Sequence, residues 1–219
     1  MNHAIARTRT ACNLCGAGET VPFWQDKRRE FLRCRTCGLV FVPSHHVLSA
    51  EEEKKRYDHH QNSPEDADYV RFLGRLAAPL RERIAPGSRG FDFGSGPTPV
   101  LSRLFEGMGH AMRTFDRYYA PDPTAFEQQY DFISACEVLE HLQDPGRELE
   151  RLWSCLKPGG WLGVMTKTLV DAEAFPRWHY KDDPTHICFY SGKTFSWLAE
   201  RWQAEMVLPE QDVVLFRKR

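Results

Sequence analysis

Between Arg89 and Arg217, strand-like runs and helix-like segments take turns along the chain, an order that few architectures accommodate. Residues 90–93, 111–115, 131–136 and 161–166 predict strands, while 99–108, 139–156 and 193–202 carry apolar residues at helical spacing. Such alternation calls for a mostly parallel sheet with helices on both faces, a doubly wound, Rossmann-like α/β domain. Residues 204–208 and 213–217, joined by Pro209-Glu210-Gln211-Asp212, predict a closing antiparallel hairpin. A chain of 219 residues holds one such domain, at 89–219, and a small appendage.

The appendage is announced by cysteines. Cys12-Asn13-Leu14-Cys15-Gly16 and Cys34-Arg35-Thr36-Cys37-Gly38 repeat one CxxCG turn, which aims both of its sulfurs at a single centre. Two such turns supply the four thiolates of a closed tetrahedral zinc site, a structural role with no open coordination position, and place a zinc ribbon at 1–45. Buried free thiols or a redox dithiol are the competing reading. Cys136, Cys155 and Cys188 have no such spacing and read as packing residues.

Residues 46–88 read as a helical linker or lid. The run Glu51 to Arg56 is a solvated helical face or linker. Ser63 and Pro64 offer an N-cap and first helical position for a helix carrying Val70, Leu73, Ala77 and Leu80, with Pro79 set to kink or restart it.

Charge narrows the partners. With 29 basic and 30 acidic residues the formal net charge is -1, which removes the bulk electrostatic argument for nucleic acid, a local patch aside. No run reaches the ~18 apolar residues of a membrane span, and Met1 to Thr10 lacks the apolar stretch of a signal peptide, so a cytoplasmic location is expected.

Asp92-Phe93-Gly94-Ser95-Gly96 follows a strand and opens a helix, the context in which a glycine turn brings backbone close to a nucleotide-like ligand. Pro97, Thr98 and Pro99 interrupt the dinucleotide pattern and disfavour NAD. Asp116 ends the next strand, where an acidic side chain accepts from ribose hydroxyls or serves as a turn residue.

These segments, with Tyr130 to His141 and Leu156-Lys157-Pro158-Gly159-Gly160, resemble the class I S-adenosylmethionine-dependent methyltransferases over about residues 89 to 217. The resemblance implies cofactor contacts at Asp92, Gly94, Ser95, Gly96, Asp116 and Glu137. The stretch between Asp116 and Asp131 holds only fourteen residues, two of them Pro121 and Pro123, so the third strand of that family should be truncated or absent. The adenine contact that many relatives place after that strand then has no assignable counterpart, and Phe126 is a candidate apolar wall.

Glu137, Glu140 and His141 stand at i, i+3 and i+4 and share a face if a helix begins there. His186, in the loop after 161–166, opens on the same sheet edge. The pattern is similar to small-RNA 2′-O-methyltransferases and ubiquinone-pathway O-methyltransferases, which implies a second divalent cation at Glu137, Glu140, His141 and His186 beside the accepting hydroxyl. His141, His186 and Glu140 are the catalytic candidates, as direct bases or through that ion. Packing or capping is the plainer role for the same residues. The aromatic segment 175–190 reads as a substrate wall or lid, or as an extension of the core. A small-molecule acceptor, methylated on oxygen, is expected. RNA or protein methylation with the ribbon as docking module, and a catalytically silent binding protein, are the alternatives.

Overall fold

Two sheets organise the chain in the computed structural model, which describes residues 10–59 and 63–219. The expectation for residues 1–9 lies outside the described residues. The smaller sheet comprises β1 (Thr20–Gln25), β2 (Glu30–Cys34) and β3 (Val40–Phe41), followed by α1 (Ala50–Tyr57) and α2 (Ala67–Arg81). The larger domain runs β4 (Arg89–Phe93), α3 (Val100–Gly107), β5 (Ala111–Phe115), β6 (Tyr130–Cys136), α4 (Pro145–Ser154) and β7 (Leu156–Met165). It closes with β8 (Cys188–Phe189), α5 (Gly192–Trp202), β9 (Glu205–Glu210) and β10 (Val213–Arg217).

The six-stranded sheet has the order β5-β4-β6-β7-β10-β9. β5, β4, β6 and β7 are parallel, and β10 pairs antiparallel with both β7 and β9. The expected mixed α/β sheet with a terminal hairpin is therefore present. Strand alternation sorts the side chains: Phe132, Val213 and Leu215 face Leu73, Leu76, Leu80 and Phe105, while Ile133, Val214 and Phe216 face Leu152, Phe195 and Leu198. Helices thus cover both faces, as parallel strands require. Between Asp116 and β6 there is only a 3-10 turn, Pro123–Glu127, and no third strand among the described residues.

Local chemistry moved three boundaries. Asp66, not Ser63, caps α2 by accepting from the Asp68 and Tyr69 N–H groups, and Ser63 Oγ instead closes a turn onto the Glu65 N–H. α2 runs through Pro79 to Arg81 without a restart. The helix expected over 139–156 is two pieces, a 3-10 turn at Leu139–His141 and then α4, whose start is fixed by the Asp144 cap on the Arg147 N–H and by Pro145 at the first position.

The ribbon does not stand alone. Its sheet has the order β1-β2-β3-β8, so the fourth strand is borrowed from the distant segment that carries His186. The Val42 N–H donates to the Ile187 carbonyl at 2.9 Å, and the first cysteine turn lies on α4, with the Gly146 N–H donating to the Asn13 carbonyl at 3.1 Å. Phe31, Leu39 and Phe41 are buried in the same core as Phe91 and Leu152.

Candidate active site and four-cysteine centre

Parallel strands aim their carboxyl ends at one edge of a sheet, and ligand-binding loops collect there. Here the loops after β4, β5 and β6 surround a cavity of about 750 Å³, a size suited to a nucleoside-bearing small molecule. Gly94, Ser95, Gly96, Asp116, Glu137, Glu140, His141 and His186 all line it.

The glycine turn is strapped to the end of β5: the Gly94 and Ser95 N–H groups both donate to the Phe115 carbonyl. Gly94 has φ of 76°, and a Cβ there would lie 2.3 Å from Val138 Cγ2, so only glycine fits. At Gly96, with φ of 66°, a Cβ would enter open space on the cavity wall, which leaves the backbone bare to a ligand. Asp116 joins the two loops, accepting from the Gly96, Tyr118 and Tyr119 N–H groups.

Asp92 occupies a different place from the one expected of a cofactor contact. It is 3% exposed and absent from the cavity wall, and its two oxygens accept from Ser102 and Ser134. Burial pushes its carboxyl up to about 6, the serine hydrogen bonds opposing. It braces the turn from behind. Phe126 also lies off the wall, packed on Phe91 and Phe115 under the Arg151 guanidinium.

At the end of β6 the chain turns through Glu137, whose φ of 51° is left-handed and strained for a residue with a side chain. The Glu137 N–H is fixed to the Met165 carbonyl at 2.8 Å. Because a left-handed residue and a 3-10 turn follow β6, Glu137, Glu140 and His141 do not share one helical face. Glu140 and His141 instead meet His186: one ligand atom from each of the three lies within 4.8 Å of the others, and Glu137 stands outside that group. Burial, then the Glu140 charge, pushes Glu137 up to about 8.

The fully buried Glu140 carboxylate accepts from Thr166 Oγ1 at 3.0 Å and from the Tyr180 hydroxyl. Both imidazoles are oriented by backbone. His141 Nδ1 lies 3.0 Å from the Thr185 carbonyl and His186 Nδ1 2.6 Å from the Tyr180 carbonyl. A carbonyl only accepts, so each ring donates through Nδ1 and leaves Nε2 as the nitrogen open to another partner; that of His141 lies 4.0 Å from Glu140 Oε1. Burial holds His186 below the ordinary histidine value. Of the aromatic segment 175–190 only His186 reaches the cavity; Phe175, Tyr180, Phe189 and Tyr190 are core.

Several wall residues had no signal as site residues in the sequence, among them three that bear on the chemistry. Cys136, expected to be packing, lines the cavity. Glu53 and Tyr57 of α1 do so as well, and Glu53 accepts from the Tyr57 and Tyr118 hydroxyls at 2.9 and 2.6 Å. The charged run thus has one buried acid facing the site.

In the ribbon, Cys12 and Cys37 sulfurs are 3.6 Å apart and Cys15 and Cys34 sulfurs 3.5 Å apart, with all four within 4.8 Å of one another. A tetrahedral zinc with Zn–S bonds of about 2.3 Å spaces its sulfurs by about 3.8 Å, so the cluster has the geometry of a zinc site. The Gly16 and Gly38 N–H groups donate to the Cys12 and Cys34 carbonyls, folding both turns alike. The hydrogen bond between Cys12 and Cys37 lowers the Cys12 thiol and raises Cys37 in return, and burial raises Cys15.

A family model described as a methyltransferase domain matches residues 57–208. No curated protein matches the chain. Among solved structures it is similar to 1,6-didemethyltoxoflavin-N1-methyltransferase from Burkholderia thailandensis, bound to 1,6-didemethyltoxoflavin and S-adenosylhomocysteine. Identity there is 14%, coverage 90% of this chain and 98% of that one, and the TM-score 0.53. It is also similar to the mitomycin 7-O-methyltransferase MmcR, at 14% identity, with 75% and 59% coverage and a TM-score of 0.52. An O-methyltransferase family protein from Burkholderia thailandensis matches at 15% identity, with 76% and 62% coverage and a TM-score of 0.51. Among the described residues no helix is long and apolar enough to cross a membrane.

Proposed function

Because the chain belongs to the methyltransferase domain family and takes S-adenosylmethionine as its cosubstrate, we propose that it methylates a small-molecule acceptor at a hydroxyl. The observation that carries this reading is the pair His141 and His186, which share the cavity wall with the glycine turn and, engaged to backbone through Nδ1, leave both Nε2 atoms for an acceptor. When bound, the cosubstrate supplies an electrophilic sulfonium methyl group. Gly94, Ser95 and Gly96 would cradle it with bare backbone, and Asp116 would accept from its ribose hydroxyls, with Glu137 beside them. Asp92 supports that turn without touching the ligand. In-line displacement asks the protein for alignment and for a route for the acceptor's proton. His186, kept neutral by burial, receives that proton on Nε2, and Glu140 steadies the resulting charge from within the group.

Two structural relatives are named for methylating small molecules, one on nitrogen and one on oxygen, and the net charge of -1 supports the same class of acceptor. To test this, the protein is incubated with methyl-labelled S-adenosylmethionine and, separately, small-molecule extract, total RNA and total protein. Label is expected in an alkali-stable ether of the small-molecule fraction. Label in RNA or protein would make the ribbon a docking module, and absence of turnover in every fraction would leave a silent binding protein.

One observation favours a divalent cation at Glu140, His141 and His186. A metal-binding histidine commonly donates its second ring N–H to a carbonyl, and both do so here. Chelation followed by added divalent ion distinguishes the two mechanisms: loss and recovery of turnover assigns the ion, and indifference assigns direct proton transfer. For the four cysteines we expect about one zinc per chain by metal analysis.

A further inference from the structure

Arg29 stands in the turn between β1 and β2, at the opposite end of the hairpin from Cys34, and is 7% exposed. Asp26 closes that turn by accepting from the Arg28 and Arg29 N–H groups. The guanidinium lies over the Phe31 ring, 5.2 Å from its centre. Among the described residues no carboxylate is in hydrogen-bonding contact with it, and Asp26, Asp183 and Asp182 act on it only through their charge. It gathers four backbone carbonyls of a single loop: His186 at 2.9 Å, Asp183 at 3.2 Å, Pro184 at 3.3 Å, and Lys181. Five rigid donors in a planar fork suit this task, and a buried guanidinium so used is costly to replace.

The loop it gathers is the one that delivers His186. The residue is held from three sides: its carbonyl by Arg29, its ring Nδ1 by the Tyr180 carbonyl, and the following Ile187 by the Val42 N–H and the Glu140 carbonyl. Two of these four contacts, those of Arg29 and Val42, come from the ribbon. We propose that the ribbon is part of the acceptor machinery, and that Arg29 is the positioning residue that sets the His186 imidazole against Glu140 and His141. This rests on the reading of His186 as the proton-accepting group.

The zinc-loaded full chain is compared with Arg29→Lys and Arg29→Met, each also combined with His186→Ala. An ammonium cannot span four carbonyls, and methionine keeps the apolar stem over Phe31. Zinc content and affinity for S-adenosylhomocysteine are expected to stay within about twofold of wild type in both variants. Long-range proton–nitrogen spectra of the histidines, which need no acceptor, are expected to show the Nδ1–H form of His186 in wild type and a mixture of forms in the variants. With the acceptor found by labelling, kcat is expected to fall about tenfold to hundredfold while the KM for S-adenosylmethionine holds. Arg29→Lys should recover part of what Arg29→Met loses. In the His186→Ala background neither should lower kcat further, because residues acting as one unit are not additive.

An unchanged His186 spectrum and unchanged kcat in both variants overturn the inference. So do losses that multiply with His186→Ala, or zinc, cofactor affinity and kcat falling in parallel in both variants, since those mark a merely structural arginine. If His186→Ala alone keeps normal turnover, the catalytic reading fails. If His186→Ala is crippled and both Arg29 variants are normal, only the positioning claim fails.

Discussion

At one end of the cavity, Gly96 is tied to Asp116 across 20 residues of chain; at the other, His186 is tied to Arg29 across 157. The first end is assembled within β4, β5 and the loops that follow them, so a single strand-turn-helix unit with its neighbour completes it. The second needs two sheets. A ligand site of the first kind tolerates change elsewhere in the molecule, while one of the second kind fails when either sheet moves. Cofactor binding and acceptor chemistry are therefore expected to be separable by mutation, although they share a wall.

The strongest way to break this comparison is to remove the zinc site. Cys34→Ser is expected to lose the metal and lower the melting temperature by about 10 °C or more, since a structural zinc is worth on the order of 10 kcal/mol to the module it folds. Turnover should fall with it, and a metal-free protein with wild-type turnover would detach the acceptor end from the ribbon. Next in size, His186→Ala and His141→Ala are each expected to lower turnover by about a hundredfold to ten-thousandfold with unchanged S-adenosylhomocysteine affinity by calorimetry. Equal loss of affinity would show that the two ends are one unit.

Asp116→Ala tests the opposite end. Affinity for S-adenosylhomocysteine is expected to weaken about tenfold to hundredfold, and Asp116→Asn less, because an amide oxygen still accepts from the Tyr118 and Tyr119 N–H groups. Wild-type affinity in the alanine variant would remove the ribose assignment. The smallest effect concerns Asp92. Its carboxyl sits at about 6 in the fold against an ordinary 3.8, so the folded chain holds that proton more tightly than the unfolded chain does. Wild-type stability is thus present below the lower value, declines as pH rises between the two, and is level above. Asp92→Asn has no such slope, and its stability relative to wild type is expected to rise across that window by at most about 3 kcal/mol. Melting curves that keep a constant difference from pH 4 to 7 would show that Asp92 is not the group responsible.

What could be read in advance followed the same division. Ala111–Phe115 and Val213–Arg217 have the bounds their alternation predicts, and the CxxCG repeats converge as spacing requires, because each of these signals is local. The expectation of one helix over 139–156 passed over a local signal, since Asp144-Pro145 is a cap followed by a first-position proline. Ser63-Pro64 has the form of a cap and first helical position, yet Asp66, three residues on and not expected there, caps α2. The acceptor end offered less. β8 has only two residues, too few for a periodic signal, and a lone arginine in a turn gives no hint of four carbonyls far along the chain. Glu140, His141 and His186 were found as residue types, but the backbone reversal at Glu137 that separates it from them leaves no mark in the sequence.

The borrowed strand sets an order of assembly on the ribosome. All four cysteines precede Lys181 by at least 144 positions, so a metal can load before the segment that supplies the fourth strand is made. β3 then has no partner on its outer side, and Arg29 has nothing to grasp, until residues 181–189 arrive. Long-range pairings of this kind form late and slowly. For that interval Val40 and Phe41 present an open apolar edge of the sort that recruits other strands. His186, the proposed proton acceptor, is thus among the last residues set in place, and a nascent or truncated chain that holds the four cysteines and the glycine turn has yet to acquire the proposed acceptor side.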